Sequence, residues 1–489
     1  MDPQYIATFD IGTSAVKGLL LGKAGDIVLP DQVNLHTDTT RDFREQDPLE
    51  WAETIKLIIR HWRDSGISPA QIAAVTFSGQ MQDLICLDKQ GKPVAPAILY
   101  SDSRADEEAE TIGCLFENIT ETTGNPFDGT TPLAKWLWMK KRHPVPEENT
   151  VSLLFGAKDY LIFCLTGRRV IDPTNASTTG LMGLKFSTWI EGWLPSLGLS
   201  AGKLPQIVPF DQVAGTVTEK AAGEFGLTEG TSVFCGCGDA GSTSMGAGAF
   251  SNDDTYIYLG TTAWAACASE NRADKKKGLF QLRYLDQTPY LAIAPLVNGG
   301  NVHKWAVEQL ASGEYYIFER MVRNSRPGAR GLLFLPYLNG ARSPVNDSGA
   351  RGAFIGLSVE TMSADMARAV LEGTAYSLKQ VLSILPSSGS KQSIRIIGGG
   401  TQSAVWCQII ADVFQKRIVV PESAQYLPAL GSAAGPFVRL GWQSSYSSYV
   451  KNILDMQDSA VYRPDPTLKK GYESGYKKFK SIYPALKEI

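Results

Sequence analysis

The chain opens with a strand, a Gly-Thr turn and a second strand, Phe9-Asp10-Ile11-Gly12-Thr13-Ser14-Ala15-Val16, and repeats that pattern at Leu259-Gly260-Thr261-Thr262-Ala263. Glycine lets the backbone reverse sharply, and the apolar runs at residues 5–9 and 256–259 read as the strands that enter each turn. Two such hairpins so far apart imply two halves, each starting its own sheet. The boundary is expected near residues 244–254, giving a first domain of residues 1–246 and a second of 247–489. A chain of 489 residues is long enough for two cores.

Composition narrows the partners. A formal net charge of -3 gives no electrostatic reason to expect nucleic acid or an acidic membrane surface. No apolar run approaches membrane-spanning length, and Met1-Asp2-Pro3-Gln4 leads straight into a strand without a leader pattern. The seven cysteines are an odd number with no CxxC pair, as expected of reduced thiols in a cytoplasm. Cys235-Gly236-Cys237 has no nearby His or Cys to complete a zinc site, and the four histidines build no zinc constellation.

Five stretches carry candidate chemistry. In the first hairpin, Gly12, Thr13 and Ser14 shape a concavity that suits a phosphate, and Lys17 adds a positive charge nearby. Taken alone, that turn is equally a plain hairpin. Ser232-Val233-Phe234 reads as a buried strand that runs through Cys235-Gly236-Cys237-Gly238 to Asp239, which opens a helix of small residues packed closely on a neighbour. A carboxylate at that turn is stabilised as the anion and can accept a proton; it can also merely cap the helix. A third strand ends in Ser78-Gly79-Gln80-Met81-Gln82-Asp83, at the edge where α/β sheets hold ligands. Asp102 and Arg104 form either an ion pair or a site in which Asp102 accepts hydrogen bonds from substrate hydroxyls. In the second half, Gly398-Gly399-Gly400-Thr401-Gln402-Ser403 departs from GxGxxG and lacks the later ribose-binding acid, which excludes a dinucleotide. A base or ribose can still lie against its bare backbone.

Other segments set expectations about packing. Asp47-Pro48-Leu49-Glu50 reads as a capped helix start with Glu50 closing a capping box. Residues 143–149 read as a surface loop, and the polar stretch 172–180 either lines a cleft or is an exposed loop. The small residues at 429–435 are expected to pack on the 398–403 turn, after which residues 468–483 form an amphipathic surface helix.

The ordered set of Asp10-Ile11-Gly12-Thr13-Ser14 with Lys17, Gly238-Asp239-Ala240, Gly260-Thr261-Thr262 and Gly398–Ser403 resembles the FGGY family of carbohydrate kinases along nearly the whole chain. The resemblance implies an α/β fold of two ribonuclease H-like domains, as in actin-like ATPases, with a cleft between them. The first domain would bind the sugar and the second the nucleotide. ATP and Mg²⁺ are the implied cofactors, a small sugar the partner, and a homodimer a family-level expectation. Asp239 would be the general base, with Asp10 and Asp239 near the metal. Gln80, Met81, Gln82, Asp102 and Arg104 would contact the sugar. Gly12, Thr13, Ser14, Lys17, Gly260, Thr261 and Thr262 would hold the β- and γ-phosphates, and Gly399, Gly400, Thr401 and Ser403 the adenosine. Ser78–Met81, Tyr100–Arg104 and residues 334–344 are most similar to members that phosphorylate D-xylulose; another ketopentose, gluconate or a polyol is the alternative acceptor. Those members usually carry His after the Gln-Met pair, where this chain has Gln82. From another class, a non-catalytic sugar sensor or chaperone-like ATPase uses the same fold. Against it stand the presence of both Asp10 and Asp239 and the lack of a separate peptide-binding domain.

Overall fold

The computed structural model describes residues 3–39, 43–274, 278–386, 392–456 and 458–487. The chain forms two compact units. The first comprises Met1–Phe250, Gln281–Tyr290 and Tyr426–Met456, and the second Ser251–Phe280, Leu291–Gln425 and Gln457–Ile489. The later part of the chain thus returns two segments to the first unit.

The first unit starts as an antiparallel meander of β1 (Tyr5–Ile11), β2 (Ala15–Gly22) and β3 (Ile27–Asn34). The chain then crosses over through the helix Pro48–Asp64 and returns as β4 (Ile72–Gly79), parallel to β1 on its free side. Strands β5 (Val213–Thr216) and β6 (Ser232–Phe234) extend the order to β5-β6-β4-β1-β2-β3, while the short β7 (Cys237–Gly238) pairs with the end of β4. β1 and β4 are buried along almost their whole length, as a central parallel pair covered on both faces must be. On one face Phe9 stacks on Phe77 and Trp62, the latter from Pro48–Asp64. By strand alternation Thr8 and Thr76 point to the other face. There they donate to the carbonyls of Ala429 at 2.7 Å and Ser432 at 3.3 Å on the helix Leu427–Ser432.

Two local readings change. Asp47 caps Pro48–Asp64 by accepting the Leu49 amide at 2.9 Å. Glu50 closes no capping box, because its carboxylate takes the His36 amide at 3.0 Å. Residues 143–149, expected as a loop, include the short helix Pro144–Asn149, which proline opens at its first position.

The second unit repeats the opening. β8 (Thr255–Leu259) and β9 (Ala263–Ser269) form the hairpin, and β10 (Tyr290–Leu296) lies beside β9. β11 (Ser393–Ile397) runs parallel to β8, followed by β12 (Arg417–Pro421) and β13 (Ser459–Tyr462), giving the order β10-β9-β8-β11-β12-β13. The long helix Ser363–Ile384 is buried through most of its length. The Trp406 indole, on the helix Ala404–Phe414, donates to its Leu371 carbonyl. Among the described residues no helix is long and apolar enough to cross a membrane.

Candidate active site

In the first unit three strand ends fall in one row. Asp10 pairs with Ser78 across β1 and β4, and Ser78 pairs with Cys237 across β4 and β7. Neighbouring strands lie about 4.8 Å apart, so the backbones of Asp10 and Asp239 flank β4 at a separation on the order of 10 Å. Ser78 Oγ donates to Asp10 Oδ1 at 2.8 Å, and Lys17 stands opposite Asp10 in the hairpin.

The backbone before Asp239 can be built only with glycine. Gly236 has φ +61°, and a Cβ there would lie 1.9 Å from the Phe77 carbonyl oxygen. This contact lets the chain leave β6 and rejoin the sheet as β7. Gly238 occupies the N-cap and Asp239 is the first residue of the helix Asp239–Gly246, so Asp239 is not the cap. That helix and Leu427–Ser432 touch backbone to backbone. A Cβ on Gly246 would sit 2.2 Å from the Leu427 carbonyl oxygen, and one on Gly431 1.9 Å from that of Ser242. The small residues expected to pack on the 398–403 turn therefore pack on the Asp239 helix, where glycine permits the approach.

Asp239 keeps a partly exposed side. Burial pushes its carboxyl up to about 7; the charge of Asp10 and, less, that of Asp172 add to the shift, against the Ala240 amide. Burial also raises Asp10, opposed by the Ser78 hydroxyl and the Lys17 charge.

Behind Asp239 lies a buried ionic network that the sequence reading missed. Asp172 Oδ1 accepts the Gly238 amide at 3.1 Å, and Oδ2 accepts the amides of Thr174 at 2.9 Å and Asn175 at 3.1 Å. Lys158 bridges Asp172 at 2.9 Å and Asp159 at 2.7 Å, and all three side chains are fully buried. The 172–180 stretch is therefore neither an exposed loop nor a bare cleft wall: Asp172, Thr174, Asn175, Ser177 and Thr179 are all buried. The available signal was Lys158-Asp159 set inside the apolar helix Ala157–Thr166, since a charge pair there must be satisfied internally.

The expected sugar-contacting residues divide into two groups. Gln80 and Met81 are buried, and Gln82 is partly exposed at φ +67°. Gln80 accepts the Thr13 hydroxyl at 3.0 Å and donates to Gln46 at 2.8 Å, so it ties the first turn to β4. Met81 packs beneath Gly238, where a Cβ would meet its Sδ at 2.5 Å. Gln82 Nε2 donates to the Thr130 hydroxyl at 3.0 Å.

Asp102 and Arg104 form the ion pair that was one of the two sequence readings. Asp102 is 1% exposed and accepts four hydrogen bonds, from the amides of Arg44 and Arg104 and twice from the Arg104 guanidinium. These fill the acceptor capacity of a carboxylate. Despite burial, they hold the Asp102 carboxyl below its usual value. Arg104 also pairs with Glu45 at 2.7 Å and lies over the Phe43 ring at 3.6 Å.

In the second unit a cavity of about 900 Å³ is lined by Gly260, Thr261, Gly399, Gly400 and Ser403, all expected, and by the first turns of the helix Gly300–Ala311. Gly300 and Asn301 donate their amides to the carbonyls of Gly260 and Thr261 at 2.7 and 3.0 Å. A Cβ on Gly300 would lie 2.6 Å from the Gly260 carbonyl oxygen. Gly299, Gly300 and Asn301 thus clamp the Gly-Thr turn. Thr262 and Thr401 are not in the lining. Thr401 spends its hydroxyl on the Gly398 carbonyl at 2.7 Å, and the Thr262 carbonyl takes the Gly260 amide at 2.9 Å. Ser403 caps Ala404–Phe414 through the Trp406 amide.

The class of protein is set by the comparisons: an ATP-dependent sugar kinase. Residues 5–246 match the N-terminal domain and residues 255–437 the C-terminal domain of the FGGY family of carbohydrate kinases. The chain belongs to that family. It is 29% identical to the xylulose kinase of Staphylococcus xylosus, over 98% of this chain and 99% of that one. Among solved structures, the gluconate kinase and a ligand-bound xylulose kinase of Lactobacillus acidophilus superpose with TM-scores of 0.91 and 0.90. Each is 28% identical, over 99% of this chain and 98% of that structure. The fold is accordingly the two-domain actin-like architecture expected from the sequence.

Proposed function

We propose that this chain transfers the γ-phosphate of ATP to D-xylulose, giving D-xylulose 5-phosphate, in the cytoplasm. The observation that carries the reading is Asp239 at the head of its helix, with Asp10 across β4 and its own proton affinity near neutrality. A general base works best when its pKa lies near the operating pH. Asp239 takes the proton of the acceptor hydroxyl as that oxygen attacks the γ-phosphorus. The bond to the bridging oxygen breaks, and ADP leaves. Phosphoryl transfer asks the protein mainly for positioning and charge neutralisation.

Gln80, Met81 and Gln82 position the sugar. The Gly12 amide is spent inside its turn on the Ala15 carbonyl at 3.0 Å, so Thr13, Ser14 and Lys17 are the phosphate-facing groups there. Gly260 and Thr261 hold the phosphates in the second unit, and the nucleoside lies along Gly399, Gly400 and Ser403. Were magnesium to accompany the nucleotide, Asp10 would offer it a carboxylate oxygen, the kind of ligand this ion prefers, and the ion would supply charge neutralisation of the phosphates. Among the described residues no group of three or more His, Cys, Asp or Glu side chains could hold a metal ion.

The likeness to xylulose kinases supports D-xylulose. Gln82 stands where members that phosphorylate D-xylulose usually carry His; both side chains hydrogen-bond hydroxyls, but Gln cannot be charged. Gluconate is the second reading, favoured by the likeness to a gluconate kinase structure. The test is kcat/KM from ADP release with D-xylulose, D- and L-ribulose, gluconate, glycerol and erythritol. D-xylulose should exceed the rest. A gluconate maximum replaces the substrate, and ATP binding without turnover of any acceptor overturns the reading.

A further inference from the structure

His303 lines the cavity of the second unit from the first turn of Gly300–Ala311, yet it is only 6% exposed. Its ring is boxed by Tyr315, Phe318 and Trp406, with centroids 5.2, 5.2 and 5.1 Å away, and it stands steeply to Tyr315 and Trp406. Nε2 is buried and has no hydrogen-bond partner among the described residues. A nitrogen enclosed by aromatic rings is favourable as an N–H aimed at a π face and unfavourable as a lone pair. Burial pushes the imidazole down to about 4, so the ring is neutral at neutral pH. A neutral imidazole has one donor and one acceptor nitrogen. With the proton on Nε2, Nδ1 carries the lone pair.

A lone pair there repels phosphate oxygens, which are acceptors themselves. In a nucleoside triphosphate the donors are the base amino group and the ribose hydroxyls. We propose that Nδ1 of His303 accepts a hydrogen bond from the nucleoside of the bound nucleotide, a base amino group or a ribose hydroxyl, and so sets which nucleotides this chain accepts. This rests on the reading of the cavity as the nucleotide site. The surrounding elements suit a nucleoside: bare backbone at Gly399 and Gly400, and the aromatic side chains of Tyr258 and Tyr315.

The test is equilibrium binding to the full-length chain of four probes: ATP, the triphosphate of unsubstituted purine riboside, 2′-deoxy-ATP and 3′-deoxy-ATP. Wild type is compared with His303→Leu, which fills the space without an acceptor, and His303→Gln, which keeps one. His303→Leu should weaken ATP roughly tenfold, the worth of one hydrogen bond, and His303→Gln should weaken it less. The probe lacking the group that His303 reads should bind wild type and His303→Leu equally. If that probe is the purine analogue, the base is read; if a deoxy analogue, the ribose is. Unchanged ATP binding in His303→Leu, or an equal loss for all four probes, overturns the inference while leaving the nucleotide site in place. Failure of wild type to bind any of them overturns the site reading and this inference together.

Discussion

Asp172 accepts the backbone amide of Gly238 at 3.1 Å and so anchors the residue immediately before Asp239. The same carboxylate shares Lys158 with Asp159 in a fully buried cluster. Removing the cation strands two buried carboxylates. Lys158→Met is therefore expected to cost about 3–5 kcal/mol, read by urea unfolding, and to lower turnover because the anchor of the Asp239 helix is lost. A stability loss within error would show that the cluster does not hold the site.

The pH dependence follows first from the burial of Asp239, with the charge of Asp10 adding to it. Asp239 must be deprotonated to act, and its carboxyl is pushed up to about 7, so kcat/KM should fall as pH drops through the region of pH 7. Asp10→Asn removes a negative charge that raises Asp239, which makes its carboxylate easier to form. The acid limb of the residual activity should move to lower pH. A pH–rate profile of the variant checks this; an unmoved or upward-shifted limb contradicts the coupling.

Asp102→Ala separates structure from recognition. It leaves Arg104 buried with Glu45 as its remaining carboxylate partner. The expected result is a clear fall in melting temperature, with the KM for the sugar within a few-fold of wild type in the protein that folds. A large selective rise in KM without destabilisation would return Asp102 to the sugar.

Gly431→Ala tests the helix contact behind the site. Its new Cβ meets the Ser242 carbonyl oxygen at 1.9 Å, so the Asp239 helix must move. Overpacking of this kind costs roughly 1–3 kcal/mol, and here it should lower kcat more than it changes ATP binding. Calorimetric melting and steady-state kinetics read both effects.

The duplicated fold was legible because each half announces itself locally, with apolar strands around a Gly-Thr turn at Gly12-Thr13 and Gly260-Thr261. The position of Asp239 was legible because glycines at 236 and 238 mark a backbone with no room for side chains. What the sequence hid depends on distant partners. Nothing local told that Leu427–Ser432 would cover β1 and the Asp239 helix, more than 170 residues away from the latter. Asp102 could be read as a ligand for hydroxyls because its four donors, three of them on residue 104 itself, are fixed only once Arg104 is held over Phe43. His303 gave no sign at all, since its aromatic box is assembled from two other helices, Tyr315–Asn324 and Ala404–Phe414.

The most direct test of the central claim is single-turnover phosphoryl transfer from ATP to D-xylulose by wild type and Asp239→Asn, with ATP affinity measured in parallel. The amide matches the carboxylate in size but cannot take the proton. Transfer should slow by roughly 10²–10⁴-fold, the usual worth of a general base, with ATP affinity unchanged. Near-wild-type transfer in the variant would mean that Asp239 is not the base.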